Sequence, residues 1–444
     1  MELDRNAESR RHALTVVGLV LATCGGVMLG RVLRSEPIAE YLASTAGAQT
    51  VSERATTVDP EVVPGVEVLL RDSVHLLAGK RVGLITNHTG RDRRGRSTID
   101  LLHEASGFSL VAIFAPEHGL RGIARGGDRI AASIDSATGV PVRSLYGARY
   151  APSAAMLADV DVLLYDIQDV GARPYTFVWT MTLAAEAAAR NGKGFIVLDR
   201  PDPIRADRTE GGVMRPAYRS LVGREPVPMR YGLTPGELAR WLVATGRLPR
   251  GVRVVPMQGY RRSMWYDETR LAWSAPSPNI TDLEAALLFP GIVLFEATNV
   301  SEGRGTDLPF RLVGAPWLTD ADDIARELNA AQLPGVRFAA VTQAIRPGEK
   351  YGGRESHFVR ITVVDRDLVR PVELGVRLLR AVYERHPTQF RWQAGRGLEE
   401  LSGSRALRHA IVTSDDAVDE LLRTWRREAG FFARDVEGYR LYPR

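Results

Sequence analysis

Glu296, Asn299, Ser301, Glu302, Arg304 and Asp307 crowd together, directly after the apolar run Gly291 to Phe295, in the stretch SPNITDLEAALLFPGIVLFEATNVSEGRGTDLPFRLVGAP, Ser277 to Pro316. Carboxylates, an amide, a guanidinium and glycines in so short a span can hold a hydroxyl-rich ligand such as a sugar and move protons on it. Further polar clusters each follow a short apolar run: Asn87 and His88; Glu117 and His118; Asp166, Gln168 and Asp169; Asp199, Arg200 and Asp202. The chemistry on offer is hydrolysis by paired carboxyl groups, one protonating a leaving oxygen while the other attacks or activates water. His88, His118, Asp166 and Asp169 also read as a ligand set for a divalent metal, the basis of a rival metal-dependent hydrolase. No H-x-x-x-H or H-x-D spacing fixes their geometry, so no metal is expected.

The elements that must position these groups are legible as alternating patterns. Lys80–Thr86, Ser109–Phe114, Asp161–Tyr165 and Gly194–Leu198 are apolar and rich in β-branched residues, as buried strands are. Helix-like stretches lie between them at Ser97–Glu104, Ser153–Ala158 and Thr180–Asn191. Strands alternating with helices imply a parallel sheet covered on both faces, with every polar cluster at its C-terminal edge. No G-x-G-x-x-G follows the first strand and no Walker lysine occurs, so the fold is read as Rossmann-like without a dinucleotide, and no cofactor is expected. Beyond Arg230, Thr234, Pro235 and Glu237 form a helix-capping box. A second, smaller α/β unit is expected through Gly251–Met257, Gly291–Phe295 and Phe358–Val364, with helices near Ala321–Ala331 and Pro371–Arg385. A cleft between the two units follows. Tyr175, Phe177 and Trp179 alternate as in a strand or extended loop.

At 444 residues and 45% hydrophobic content the chain can bury two cores of ordinary size. Its net charge of +5 is spread among acidic residues and forms no aromatic-laced basic stripe, which argues against a nucleic-acid partner. Arg10 and Arg11 open onto an apolar run from Leu14 to about Gly30, the order of an export signal of twin-arginine type or of an uncleaved membrane anchor. Leu21 to Cys24 approximates a lipoprotein box, with Thr23 where a smaller residue is usual. Cys24 is the sole cysteine, so no internal disulfide or thiolate nucleophile is available. The expected plan is an export signal or membrane anchor over 1–34, a linker over 35–63, a Rossmann-like catalytic domain over 64–230 and a C-terminal α/β domain over 231–444. The folded part is expected outside the cytoplasm, in the periplasm or cell envelope.

The blocks GVEVLLRD (65–72), GLITNHTG (83–90), FAPEHGLRG (114–122), YDIQDVGARPY (165–175), LDRPDP (198–203) and RYGLTPGE (230–237) occur in order, followed by the 277–316 window. In them the chain resembles the family long called domain of unknown function 1343, now known as exo-β-N-acetylmuramidases. The resemblance covers most of the chain after its first sixty residues or so. It departs at Ala297, where the family commonly has glycine, and at Ser356–Val359, where members often show Cys-Gly-Gly-Val.

The resemblance implies a glycoside hydrolase of peptidoglycan turnover that releases N-acetylmuramic acid from non-reducing ends, with peptidoglycan-derived saccharides as partners. Glu117 fits the proton donor best, at a sharp turn just past a buried strand; its alternative is a surface carboxylate capping that turn, which the resemblance weighs against. Glu296 leads for the second carboxylate, with Asp166 and Glu302 behind it; a salt bridge to Arg304 is its structural alternative. Asn87, Asn279 and Asn299 suit hydroxyl or acetamido groups, or else brace turns. His88, His118 and Tyr175 complete the expected binding set, and Arg173 or Arg304 is expected to meet the lactyl carboxylate. A third reading is a non-catalytic envelope protein that binds muropeptides.

Overall fold

The computed structural model describes residues 61–125, 127–128, 131–395 and 397–444. The expected signal, and the linker as far as residue 60, lie outside them. The last expected linker residues belong to the fold, since Val62 and Val63 are buried and Val63 bridges to Gln258.

The main sheet has seven strands: β1 (Arg81–Thr86), β2 (Ser109–Ala115), β3 (Ser133–Ile134), β4 (Pro141–Ser144), β5 (Val162–Asp166), β6 (Gly194–Leu198) and β7 (Val252–Val255), in the order β3-β4-β2-β1-β5-β6-β7. All neighbours are parallel except β3 on β4. Alternate residues serve opposite faces. Val82, Leu84, Ile113 and Leu164 pack with α1 (Gly65–Asp72) and α2 (Thr98–Glu104). Ile85, Phe114, Leu163 and Tyr165 pack with α3 (Phe177–Arg190) and α4 (Pro235–Ala244). Burial on both faces is why these strands read as unbroken apolar runs. α4 starts on the expected capping box: Glu237 N donates to Thr234 Oγ1 (3.2 Å) and Thr234 N to Glu237 Oε2 (3.1 Å).

The smaller sheet is antiparallel, β8 (Leu312–Ala315), β9 (Val336–Ala344) and β10 (Glu355–Val363) in the order β8-β10-β9. The same half of the chain carries α5 (Leu283–Ile292), α6 (Ala321–Ala330), α7 (Pro371–Arg385), α8 (Gly397–Ser402), α9 (Ala406–Thr413) and α10 (Asp415–Asp435), of which α6 packs on β9 and β10. α5 and α7 cross closely, because a Cβ on Gly291 would lie 1.8 Å from Pro371 O and one on Gly375 2.4 Å from Gly291 O.

Three local expectations are corrected. Val252–Val255 closes the main sheet beside β6 instead of opening the second unit. Gly291–Phe295 is no strand: it spans the end of α5 and the 3-10 turn Val293–Ala297. A run buried on all sides has no periodicity to tell strand from helix, and Pro290 inside α5 argued for a break. Phe177 and Trp179 lie in the first turn of α3, not in an extended segment, and both are core residues.

Candidate functional site

The cleft of about 750 Å³ is lined from both sheets' loops, by Glu117, His118, Arg125, Tyr146, Tyr175 and Thr176 on one side and by Glu296, Glu302, Arg304, Phe310 and Lys350 on the other. Ser277 and Asn279, from the connection between β7 and α5, also line it. A volume of this order suits one or two sugar rings.

Glu117 comes from the turn that ends β2. Gly119 N donates to Pro116 O (3.0 Å), and between them His118 takes a φ of 67°, a left-handed conformation uncommon for a side chain other than glycine. That turn is locked by the His118 ring, whose Nδ1 bonds Ala124 O at 2.7 Å. The Glu117 carboxylate accepts from Thr176 Oγ1 (2.7 Å) and Gly127 N (3.1 Å). The Tyr146 phenol lies beside it, and burial, reinforced by the Glu117 charge, raises the Tyr146 pKa. Glu117 is therefore oriented by neutral donors and has no cation paired with it among the described residues.

The opposite wall is built on charge. Arg304 bonds Glu302 through Nη1 (2.6 Å) and Glu296 through Nη2, with its guanidinium 4.9 Å from the Phe310 ring centre. Lys350 Nζ donates to Glu302 Oε2 (2.9 Å), Phe295 O (2.9 Å) and Val300 O (3.1 Å), which fastens the turn carrying both acids. Burial works to raise the Glu302 pKa, but Arg304 and Lys350 outweigh it and hold the carboxyl below its usual range. The same reciprocity holds Arg304 charged: burial works against it, and Glu296 with Glu302 prevails. The Glu296 side chain keeps 33% exposure and lines the cleft. The two roles anticipated for Glu296 thus coexist, a salt bridge and an open carboxylate edge. Tyr175 packs edge-on against Phe177 and Phe289 at 4.8 and 5.6 Å, its ring forming part of the floor.

Several expected site residues do not line the cleft. Asp166 is sealed: Arg200 grips it through Nε and Nη2 (2.9 Å to Oδ2), Thr98 Oγ1 donates to it, and the two charged side chains are 1% and 3% exposed. Arg173 is buried with Nη1 on Gly212 O and Val227 O and Nη2 on Leu401 O, and burial lowers its pKa to about 9. It cannot reach a lactyl carboxylate from there. Asn87 folds back on its own turn, accepting from Thr89 N and Oγ1 at 2.9 and 2.6 Å. The Asn299 amide clamps Gln389 O and Arg391 N. His88 bonds Ala275 O at 2.7 Å and lies on Gly122, where a Cβ would meet its ring at 2.0 Å; burial lowers its pKa. The proposed metal ligands His88, His118, Asp166 and Asp169 thus have separate partners, and no three such groups among the described residues are placed to share an ion.

Residues that the sequence reading missed are Tyr146, Thr176, Arg125, Ser277 and Lys350. Tyr146 sits just after β4, whose four residues include an N-terminal proline and give too short a run to register as a strand. Lys350 is one of only three lysines in an arginine-rich chain, a signal present but unread.

Comparison with known proteins adds an independent line. Residues 82–284 match the family model for the N-terminal part of the exo-β-N-acetylmuramidase NamZ, and residues 287–442 the model for its C-terminal part. The chain is 38% identical over 400 residues to the peptidoglycan β-N-acetylmuramidase NamZ of Bacillus subtilis (strain 168), covering 90% of this chain and 96% of that one. Crystal structures of two DUF1343 family proteins from Bacteroides fragilis superpose with TM-scores of 0.80 and 0.67 at 36% and 30% identity, each covering 86% of this chain and 99% of the other.

Proposed function

The chain belongs to the exo-β-N-acetylmuramidase family, and from that premise we propose that it is an exo-acting glycosidase releasing N-acetylmuramic acid from the non-reducing end of peptidoglycan fragments. The observation that carries the reading is the meeting of Glu117, from the main sheet, and Glu296, from the second unit, in one sugar-sized cleft. In this proposal residues 64–230 supply the proton donor and residues 231–444 the second carboxylate.

Glu117 protonates the glycosidic oxygen. Its carboxyl is aimed by Thr176 and Gly127, and the Tyr146 phenol, its pKa raised by burial and by the Glu117 charge, stands beside it as a neutral group. Glu296 offers its open edge to the developing positive charge at the anomeric centre, or to the water that attacks it, while Arg304 fixes its position. Tyr175 gives a ring for the apolar C–H face of the sugar, and Asn279 an amide for its hydroxyl or acetamido groups. Export to the periplasm or cell envelope is part of the proposal, supported by the arginine pair and apolar run near residues 10–30, which lie outside the described residues.

The test is turnover of a chromogenic N-acetylmuraminide beside its N-acetylglucosaminide counterpart. Release from the muraminide is expected to exceed the other by at least about tenfold, a difference of roughly 1.4 kcal/mol in transition-state binding. A folded sample inactive on both would overturn the assignment.

A further inference from the structure

N-acetylmuramic acid differs from its glucosamine counterpart by a lactyl ether that ends in a carboxylate, and the cleft must find a cation for it. Acids dominate the lining: Glu117, Asp128, Glu296, Glu302 and Glu349. An entering anion is repelled there unless it docks on a positive group not already committed. Arg304 is divided between Glu296 and Glu302, and the three Nζ hydrogens of Lys350 are taken by Glu302 and two carbonyls. Arg173, the other residue anticipated for this task, is buried away from the cleft.

We propose that Arg125 reads the lactyl carboxylate, and so sets the preference for muramic acid; this rests on the glycosidase assignment above. Arg125 lines the cleft and is exposed, and its guanidinium pairs with no carboxylate among the described residues. Asp128 is engaged by the Arg125 backbone N–H (3.0 Å) rather than by the side chain. The guanidinium does have a seat. Its chain belongs to the Glu117 loop, yet Nη1 donates to Gly348 O (3.3 Å) in the turn between β9 and β10, on the other wall. A Cβ on Gly348 would fall 2.3 Å from Nη1 and 2.9 Å from Nη2, so the bare glycine is what admits the planar group. Nε and Nη2 have no hydrogen-bond partner among the described residues, which leaves the donors that two-point binding of a carboxylate requires uncommitted.

The experiment compares a chromogenic N-acetylmuraminide with its lactyl methyl ester, on the wild type, Arg125→Ala and Arg125→Lys. On the free acid Arg125→Ala is expected to lose about 10- to 100-fold in kcat/KM, mostly through KM, the range for a hydrogen bond to a charged group. On the ester the loss should be several times smaller, and Arg125→Lys should recover part of the discrimination. Equal losses on both substrates would make Arg125 a structural residue, and no loss on either would remove it from recognition. Should the wild type turn over neither compound, calorimetric binding of N-acetylmuramic acid and its methyl ester to the same variants still decides. Acid-over-ester preference present in the wild type and absent in Arg125→Ala supports the role, and any other pattern overturns it, while the missing turnover counts against the glycosidase assignment alone.

Discussion

The C-terminal edge of the main sheet uses its acids in two opposite ways. At the β5 and β6 end, Asp166, Asp169, Asp199 and Asp202 are all buried, and their partners come from inside the fold. Asp166 holds Arg200; Asp169 takes Tyr231 OH and Gly171 N; Asp199 takes Tyr442 OH, Thr234 Oγ1 and Gly236 N at the start of α4. At the β2 and β4 end, Glu117 also takes neutral donors, Thr176 Oγ1 and Gly127 N, but it lines the open cleft beside Tyr146. The order of strands reverses between β1 and β5, where open α/β sheets usually bind ligands, and Thr86 pairs with Asp166 at that very point. Here the switch point is closed by Arg200 and Thr98, and the cleft lies farther along the edge, at the loops after β2 and β4, with residues of the second unit completing its lining. An acid at the end of a buried strand is thus a candidate site where it lines an open cleft, and a structural group where its partners enclose it.

The largest effect should come from breaking a sealed pair. Asp166→Asn leaves the Arg200 guanidinium buried without its charge partner, and loss of one member of such a pair costs about 3–5 kcal/mol. The midpoint of urea unfolding should fall accordingly. A loss under about 1 kcal/mol would mean that Asp166 is not structural, and would reopen its candidacy for catalysis.

A smaller effect concerns pH. Burial pushes the carboxyls of Asp199 and Asp202 to about 7 and that of Asp169 to about 6, from an ordinary 3.8. For acids whose pKa is raised by folding, the stabilisation is complete below the unfolded value and is lost as pH rises through the folded one. The unfolding temperature should therefore fall from pH 5 to pH 8. Asp202→Asn, at a carboxyl whose Oδ2 has no partner, should flatten that fall. A wild-type profile that is level or climbs across this window would contradict the sealing of this end of the edge.

The sequence announced the main sheet well, because strands buried on both faces cannot be other than apolar and their helices carry recognisable caps such as Ser97 and Thr234. It placed Glu117, His118, Tyr175, Asn279, Glu296, Glu302 and Arg304 in one site, and the structure lines one cleft with them. It could not separate them from Asp166 or Arg173. The partner of Asp166 is 34 residues away and the Leu401 carbonyl on Arg173 is 228 residues away, and no local pattern encodes such distances. β4 and the Tyr146 behind it escaped because Pro141–Ser144 is too short and too polar to show alternation. The stretch Gly291–Phe295 was misread for the converse reason, being apolar in every direction.

The contrast between open and sealed acids is tested most directly at Glu117, by replacing it with glutamine and measuring turnover of a chromogenic N-acetylmuraminide together with affinity for free N-acetylmuramic acid. A fall in kcat of about 10²- to 10⁴-fold is expected, the span for loss of a general acid, with affinity within about threefold and an unchanged unfolding midpoint. Turnover within about tenfold of the wild type, or a stability loss like that expected for Asp166→Asn, would contradict it.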